Sequence, residues 1–362
     1  MVDLSRELKE TAATLGFITV GITPAAPLPR TKLFLDELKQ AGQRTPFTTN
    51  DTRRRTDPGS IWPGAKSLLM VGWPYKVPAT GPRPSGELRG YFAAGTLGQD
   101  YHDLLSERLT VLRSVIKQNI PGSRTVPFVD TSPLIERAYA YQAGLGVWGE
   151  NTFIIRPYLA PTFFLGGLVT DVELKPDEPS NNTCLQCGLC RDACPTGALA
   201  KPYRLTYQRC LSYWTQAKQI MPVELRPLLG NRLYGCDSCL RACPLIKKSP
   251  REGATVDLQE FLVLSKKDFQ TQYGTSSMSW RGQKVLQRNA LLALGNSGQQ
   301  QTVPLLCKFL VDGEPTVRAA AAWSLGQLGG KPAYTALQNR LKSEREPWVE
   351  DEIRHALQRI WI

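Results

Sequence analysis

The sequence predicts a chain in three parts: a mixed α/β (α+β) domain over residues 1–175, a small cysteine-rich domain over 176–255, and an α-helical repeat domain over 256–362. Three observations predict it. Segments with helical and strand-like patterning alternate through the first half. All but one of the cysteines fall within residues 184–243. An Ala- and Leu-rich segment recurs near the end of the chain. A length of 362 residues suits two or three domains, and 42% hydrophobic with 21% charged residues is an ordinary globular composition that excludes wholesale disorder.

In the first part, SRELKETAATLG has helical spacing and ends on Gly16, a C-cap signal. FITVGI (17–22) and SLLMVGW (67–73) read as strands. YHDLLSERLTVLRSVIKQNI (101–120) reads as an amphipathic helix closed by Pro121 and Gly122. VPFVD (126–130) is a short apolar run, and Ser132-Pro133 after it predicts a helix start with proline at the first helical position. AGLGVWGEN (143–151) predicts a glycine-rich loop, and TFFLGGLVT (162–170) a strand. LKPDEPSNN (174–182) is polar and carries two prolines, which predicts a linker. After the cysteines, DLQEFLVL (257–264) predicts a short helix. LQRNALLALGNSG (286–298) matches VRAAAAWSLGQLG (317–329) at a period of 31, and IRHALQRI (353–360) starts a looser third copy. Helices with a glycine turn at this period resemble HEAT-like α-solenoid repeats, which serve as a binding platform or as a helical cap on a neighbouring domain.

The cysteines carry the chemistry. Cys184-x2-Cys187-x2-Cys190-x3-Cys194-Pro195 has the spacing of a bacterial ferredoxin, in which three thiolates wrap one cubane and the fourth serves the other. Cys236-x2-Cys239-x3-Cys243-Pro244 is one cysteine short, and Cys210 supplies the missing thiol. The swap between runs then gives two [4Fe-4S] sets in a ferredoxin-like module. One is Cys184, Cys187, Cys190 and Cys243; the other is Cys194, Cys210, Cys236 and Cys239. Zinc knuckles are disfavoured, because tetrahedral zinc takes its thiolates as two separated pairs. Cys307 is left over and reads as a small hydrophobe in a helix.

The net charge is +12 and spread along the chain, which suits a polyanionic partner such as RNA and equally a soluble basic protein. The two histidines, His102 and His355, exclude His-rich zinc or non-haem iron sites. No apolar run reaches the ~18–20 residues that span a bilayer, so no membrane partner is expected. The first residues lack the apolar core of a secretory signal, and a cytoplasmic location is expected. Two clusters imply single-electron transfer to a redox cofactor in the first domain. A dinucleotide is not expected there, since Gly144-Leu-Gly-Val-Trp-Gly149 follows a helical segment, not a strand. Asp100-Tyr101-His102 begins like an Asp-x-His-x-x-Gly cobalamin motif, but position 105 is Leu, and His102 reads as a helix-start residue.

Several runs together carry a family resemblance. They are Arg55-Thr-Asp-Pro58, Pro63-Gly-Ala-Lys-Ser67, Gly98-Gln-Asp-Tyr-His102, Asp130-Thr-Ser-Pro-Leu-Ile-Glu136, Ala143-Gly-Leu-Gly-Val-Trp-Gly149 and Asn151-Thr-Phe-Ile-Ile155. Cys210-Leu-Ser-Tyr213, Met221-Pro-Val-Glu-Leu-Arg226 and Tyr234-Gly-Cys-Asp-Ser-Cys239 continue the match. The chain resembles the epoxyqueuosine reductases over roughly residues 1–250, and the HEAT-like tail occurs in many members. The resemblance implies reduction of the epoxide of epoxyqueuosine at the tRNA wobble position to an alkene. It implies electrons passed through two [4Fe-4S] clusters to a cobalamin, cob(II)alamin in the resting state, and an external low-potential donor. A monomer is expected.

By resemblance, Asp130 is the proton donor, a role that calls for a raised pKa from burial or a nearby anion. The alternative for Asp130 is a helix-capping carboxylate. Arg55, Asn151 and Ile154 would line the cobalamin, with Ser212, Cys236 and Asp237 between it and the second cluster. Gln219 would touch tRNA, with Lys218, Arg226 and Arg232 beside it as phosphate contacts; Arg288, Arg318 and Arg354 on the helical tail read equally as further contacts and as residues of surface solubility or repeat packing. A reductive dehalogenase acting on a small molecule, or an electron carrier fused to an interaction module, is the competing expectation.

Overall fold

The computed structural model describes residues 3–75, 88–157, 162–246 and 254–360. It forms two compact units that interleave along the chain. The first holds Met1–Lys76, Gln99–Gln208 and Ser238–Arg251; the second holds Val77–Gly98, Arg209–Asp237 and Glu252–Ile362.

The first unit is built on a four-stranded sheet in the order Thr19–Pro24, Ser67–Pro74, Phe163–Thr170, Thr125–Phe128, with every neighbouring pair antiparallel. Strand Ser67–Pro74 is buried almost from end to end, because helices cover both faces. Its side chains alternate accordingly. Leu69, Val71 and Trp73 pack with Leu8, Ala12, Leu105, Leu109, Leu112 and Ile116 from helices Leu4–Thr14 and Tyr101–Asn119. Leu68 and Met70 pack on the other face with Phe128, Tyr139 and Ala140, the last two from helix Glu136–Gln142. The predicted strands and the long helix are therefore present with boundaries moved by two residues or fewer.

Three local expectations are corrected. The helix after Ser132-Pro133 starts at Glu136 instead, and residues 129–134 are bends. The glycine-rich run is not all loop: Val147–Trp148 pairs antiparallel with Ile154–Ile155 in a short hairpin. The segment 174–182 has no regular structure but is tied down within its unit, Asp177 accepting from Ile22 N at 2.8 Å and pairing with Lys9 Nζ at 2.5 Å.

The second unit holds the helical repeat. Helices Gln283–Asn296, Pro315–Leu328 and Pro347–Arg359 stack side by side around a core that includes Leu291, Ala320, Trp323, Ile353 and Ala356. Each matched repeat has two glycines with different tasks. Gly298 and Gly329 have φ of +70° and +72° and end their helices as turn residues. Gly295 and Gly326 lie inside the helices, where a Cβ would come within 2.7 Å of Ser324 Oγ and 2.8 Å of Ala356. The 31-residue period thus records close helix contact as well as turning. Strand Arg89–Phe92 pairs parallel with Arg232–Tyr234 and antiparallel with Thr255–Asp257 in the same unit. Among the described residues, no helix is long and apolar enough to cross a membrane.

Candidate active site and thiol centre

The first predicted thiol set is brought together. Cys184, Cys187, Cys190 and Cys243 line one hollow of the first unit, with Glu150, Asn151, Ile155, Gly188, Pro244 and Leu245. The loop folds round it because Gln186 and Gly188 take left-handed backbone, φ 53° and 75°, which glycine adopts at little cost. Burial pushes the Cys190 and Cys243 thiols up, reinforced at Cys190 by the nearby Glu150. Among the described residues, no three Cys, His, Asp or Glu side chains converge on a single-ion site, whereas four thiols spread round a hollow suit a polynuclear cluster. Glu150 is 5% exposed and pairs with Arg191 Nε at 3.3 Å, off-line for a hydrogen bond. Of the second set, Cys194 and Cys239 belong to the first unit and Cys210 and Cys236 to the second. Cys307 is half-buried against the repeat core, as its helix position predicts.

Around Asp130 the chain builds an acid site. Asp130 has φ +47°, and Thr131 N–H donates to Val129 C=O across it, which makes a γ-turn with Asp130 at its centre. A non-glycine residue in this region costs about 1–3 kcal/mol unless its neighbours hold it. Three do. Glu136 Oε1 accepts from Asp130 N–H at 2.7 Å, and Tyr101 Oη donates to Asp130 Oδ2 at 2.7 Å. His102 Nε2 stands 3.9 Å from the same oxygen, and its Nδ1 is 2.7 Å from Asp100 Oδ1. Tyr101 is itself fixed by stacking on Phe164, with ring centroids 3.8 Å apart.

The electrostatics separate the two carboxyls. Asp130 is not buried: its side chain is 66% exposed. Glu136 is half-buried, and there burial and then the charge of Asp130 push the pKa up to about 8. Burial and the same charge raise the Tyr101 phenol far above its usual range, so it stays a donor. His102 is raised by its hydrogen bond to Asp100. Tyr101, His102 and Glu136 are the members that the sequence reading left without a role. The sequence signal for Tyr101 and His102 is the Asp100-Tyr101-His102 run, which departs from the Asp-x-His-x-x-Gly pattern at Leu105.

The residues expected to line a cofactor divide. Arg55 is half-buried, and among the described residues its guanidinium has no hydrogen-bond or ion-pair partner. Burial, then Arg44 and Arg137 beside it, bring its pKa down to about 10. Its carbonyl accepts from Ile135 N at 2.9 Å, which ties it to the Asp130 turn. Asn151 is 2% exposed, and its Nδ2 lacks a partner among the described residues. Ile154 is buried in the hairpin. In the second unit, Asp237 is a loop brace, accepting from Tyr91 Oη and Ala94 N, both at 2.7 Å. Ser212 uses its carbonyl to accept from Thr215 and Gln216.

The expected RNA contacts need correction. Arg288 is fully buried and donates to the carbonyls of Trp214, Ala217 and Gln219. Arg318 is closed in a bidentate pair with Glu344, and Arg226 pairs with Glu352 at 2.8 Å while 3% exposed. None of the three faces solvent, because each cation is consumed by internal acceptors. Lys218 and Gln219 are exposed, Arg232 is partly exposed, and Arg354 is exposed beside Glu350 at 3.6 Å.

The fold and site define an iron–sulfur oxidoreductase with a braced carboxylate. Comparison with known proteins gives the family. Residues 183–245 match a 4Fe-4S double cluster binding domain, 55–131 match Epoxyqueuosine reductase QueG, DUF1730, and 281–358 match HEAT repeats. The chain is 35% identical over 369 residues to the epoxyqueuosine reductase of Bacillus subtilis, covering 98% of this chain and 95% of that one. It is 33% identical to the Escherichia coli enzyme over 341 residues, 90% and 89% of the two chains. An epoxyqueuosine reductase solved with an epoxyqueuosine-modified tRNA-Tyr stem loop superposes with a TM-score of 0.93 at 34% identity, over 99% and 98% of the two chains. A Bacillus subtilis structure described with its catalytic aspartate loop swung out of the active site also gives 0.93, at 33% identity and 99% of both. The chain belongs to the epoxyqueuosine reductase family.

Proposed function

We propose that this chain reduces epoxyqueuosine in tRNA to queuosine, with Asp130 as the proton donor and a cobalamin at the α/β domain. The net change is epoxide plus two electrons and two protons to alkene plus water. The observation that carries the assignment is the Asp130 carboxylate, presented outward on a braced turn in the unit that holds the four-thiol hollow. A relative solved with a modified tRNA stem loop supports the substrate.

The residues present suit a cobalamin. Its phosphate matches Arg55, unpaired among the described residues, with Arg44 and Arg137 beside it, and its amides match Asn151 Nδ2. When bound, it would supply the low-potential reductant for the epoxide carbon. Asp130 gives its proton to the leaving oxygen, and Tyr101 and His102 hold that carboxylate in place. Cys184, Cys187, Cys190 and Cys243 hold one cluster; Cys194, Cys210, Cys236 and Cys239 hold the other. Electrons enter from an external low-potential donor. Gln219 and Lys218 contribute to holding the RNA.

Cobalamin titration of the cluster-loaded protein, followed by absorbance, tests the cofactor assignment. Saturable binding near one per chain, weakened about tenfold or more in Arg55→Ala, is expected for a lost charge-assisted contact. Absence of binding in protein with both clusters intact removes cobalamin from the assignment and leaves an electron carrier.

A further inference from the structure

We propose that Glu136 is the latch that holds the Asp130 turn in its working conformation, as a positioning residue acting through the backbone N–H of Asp130. The proposal rests on the assignment of Asp130 as proton donor. Asp130 sits at φ +47° in a γ-turn, a backbone state that an aspartate leaves unless it is held. Its carboxylate contacts, Tyr101 Oη and the more distant His102 Nε2, restrain the side chain. Its backbone amide has one described partner, Glu136 Oε1 at 2.7 Å. Glu136 is the first residue of helix Glu136–Gln142, and that helix is anchored in the sheet core through Tyr139 and Ala140. Tyr139 also donates to Thr56 C=O at 2.9 Å. The latch is therefore mounted on a fixed element, while the turn it holds projects its side chain outward. Nothing in this arrangement requires Glu136 to be ionised, since either form keeps an acceptor oxygen. The demand is for an acceptor at that reach. Glutamine meets it, aspartate falls one methylene short, and alanine removes it.

The test uses the full chain with clusters and cobalamin loaded. Turnover on epoxyqueuosine-containing tRNA and hydrogen exchange of the peptide spanning residues 129–135 are measured for wild type and for Glu136→Gln, Glu136→Asp and Glu136→Ala. The latch predicts that kcat falls about tenfold or more in the Ala and Asp variants, with KM for tRNA unchanged. Exchange at the 129–135 peptide should rise in the same two variants. Gln should restore both readouts close to wild type. A Gln variant as slow as Ala overturns the proposal, because the carboxyl's charge or proton would then be what matters. Wild-type exchange in Ala or Asp overturns it as well. If Ala does not fold, Gln against Asp decides. Wild type that leaves the epoxide intact defeats the functional assignment, whereas the exchange arms still report on the latch.

Discussion

Asp130 and Glu136 are two carboxyls six residues apart with different surroundings, one solvent-facing and one half-buried. Asp130→Asn keeps the shape of the side chain and removes its proton. It should retain iron content, fold and tRNA binding but lose turnover by about a hundredfold or more, as loss of a general acid does. Near-normal turnover would remove Asp130 from the chemistry. Glu136 makes a separate prediction on stability. Its pKa is raised from 4.5 to about 8 on folding. The folded state therefore holds the proton more tightly than the unfolded state. That contribution is fully present below pH 4.5 and is lost as pH rises through 8. Glu136→Gln cannot titrate, so its melting temperature should fall less than that of wild type between pH 5 and 8.5. Parallel falls would contradict the raised pKa. At this scale the sequence was informative about chemistry and poor on geometry. Asp130 stood out by resemblance, yet Tyr101, His102 and Glu136 became partners only when a strand end, a helix start and a γ-turn met. Such a meeting leaves no local signature.

At the scale of elements, the cysteine loop was the most legible feature, because cluster ligation imposes spacing directly on the chain. Cys184→Ser should lose about half of the iron if it serves one of two clusters. Full loss would mean that the two sets do not form independently. The repeat helices were legible for the same kind of reason: glycines 31 residues apart are needed where helices touch and where they turn. The use of the repeat arginines was not legible. Arg288 reads equally as an RNA contact and as a solubility or packing residue, and three carbonyls of the 214–219 segment consume it. Arg288→Ala should therefore destabilise the protein by about 3 kcal/mol or more, since each buried carbonyl left without a donor costs about 1–3 kcal/mol. Denaturant midpoints at unchanged slope measure this, and a change below about 0.5 kcal/mol would contradict it. The helix boundary near Ser132-Pro133 was misplaced because proline at a first-turn position is equally at home in the turns that precede it.

For the whole molecule, the excess of 44 Lys and Arg over 32 Asp and Glu suits a polyanionic partner and a merely basic protein equally. Composition could not say which cations face it, and burial of Arg226, Arg288 and Arg318 takes three of the expected contacts away. Affinity for the tRNA stem loop should still fall steeply with salt. Lys218→Ala should lower the slope of log affinity against log salt by about one contact, whereas Gln219→Ala should lower affinity with the slope unchanged.

The central claim is a reaction at a modified base, and the direct measurement is anaerobic. Cluster-loaded protein is given a low-potential reductant and tRNA carrying epoxyqueuosine, with and without cobalamin; the tRNA is then digested and its nucleosides are weighed. Loss of one oxygen from the modified nucleoside only when cobalamin is present is the predicted result. An unchanged nucleoside mass, with both clusters intact and cobalamin bound, would contradict it.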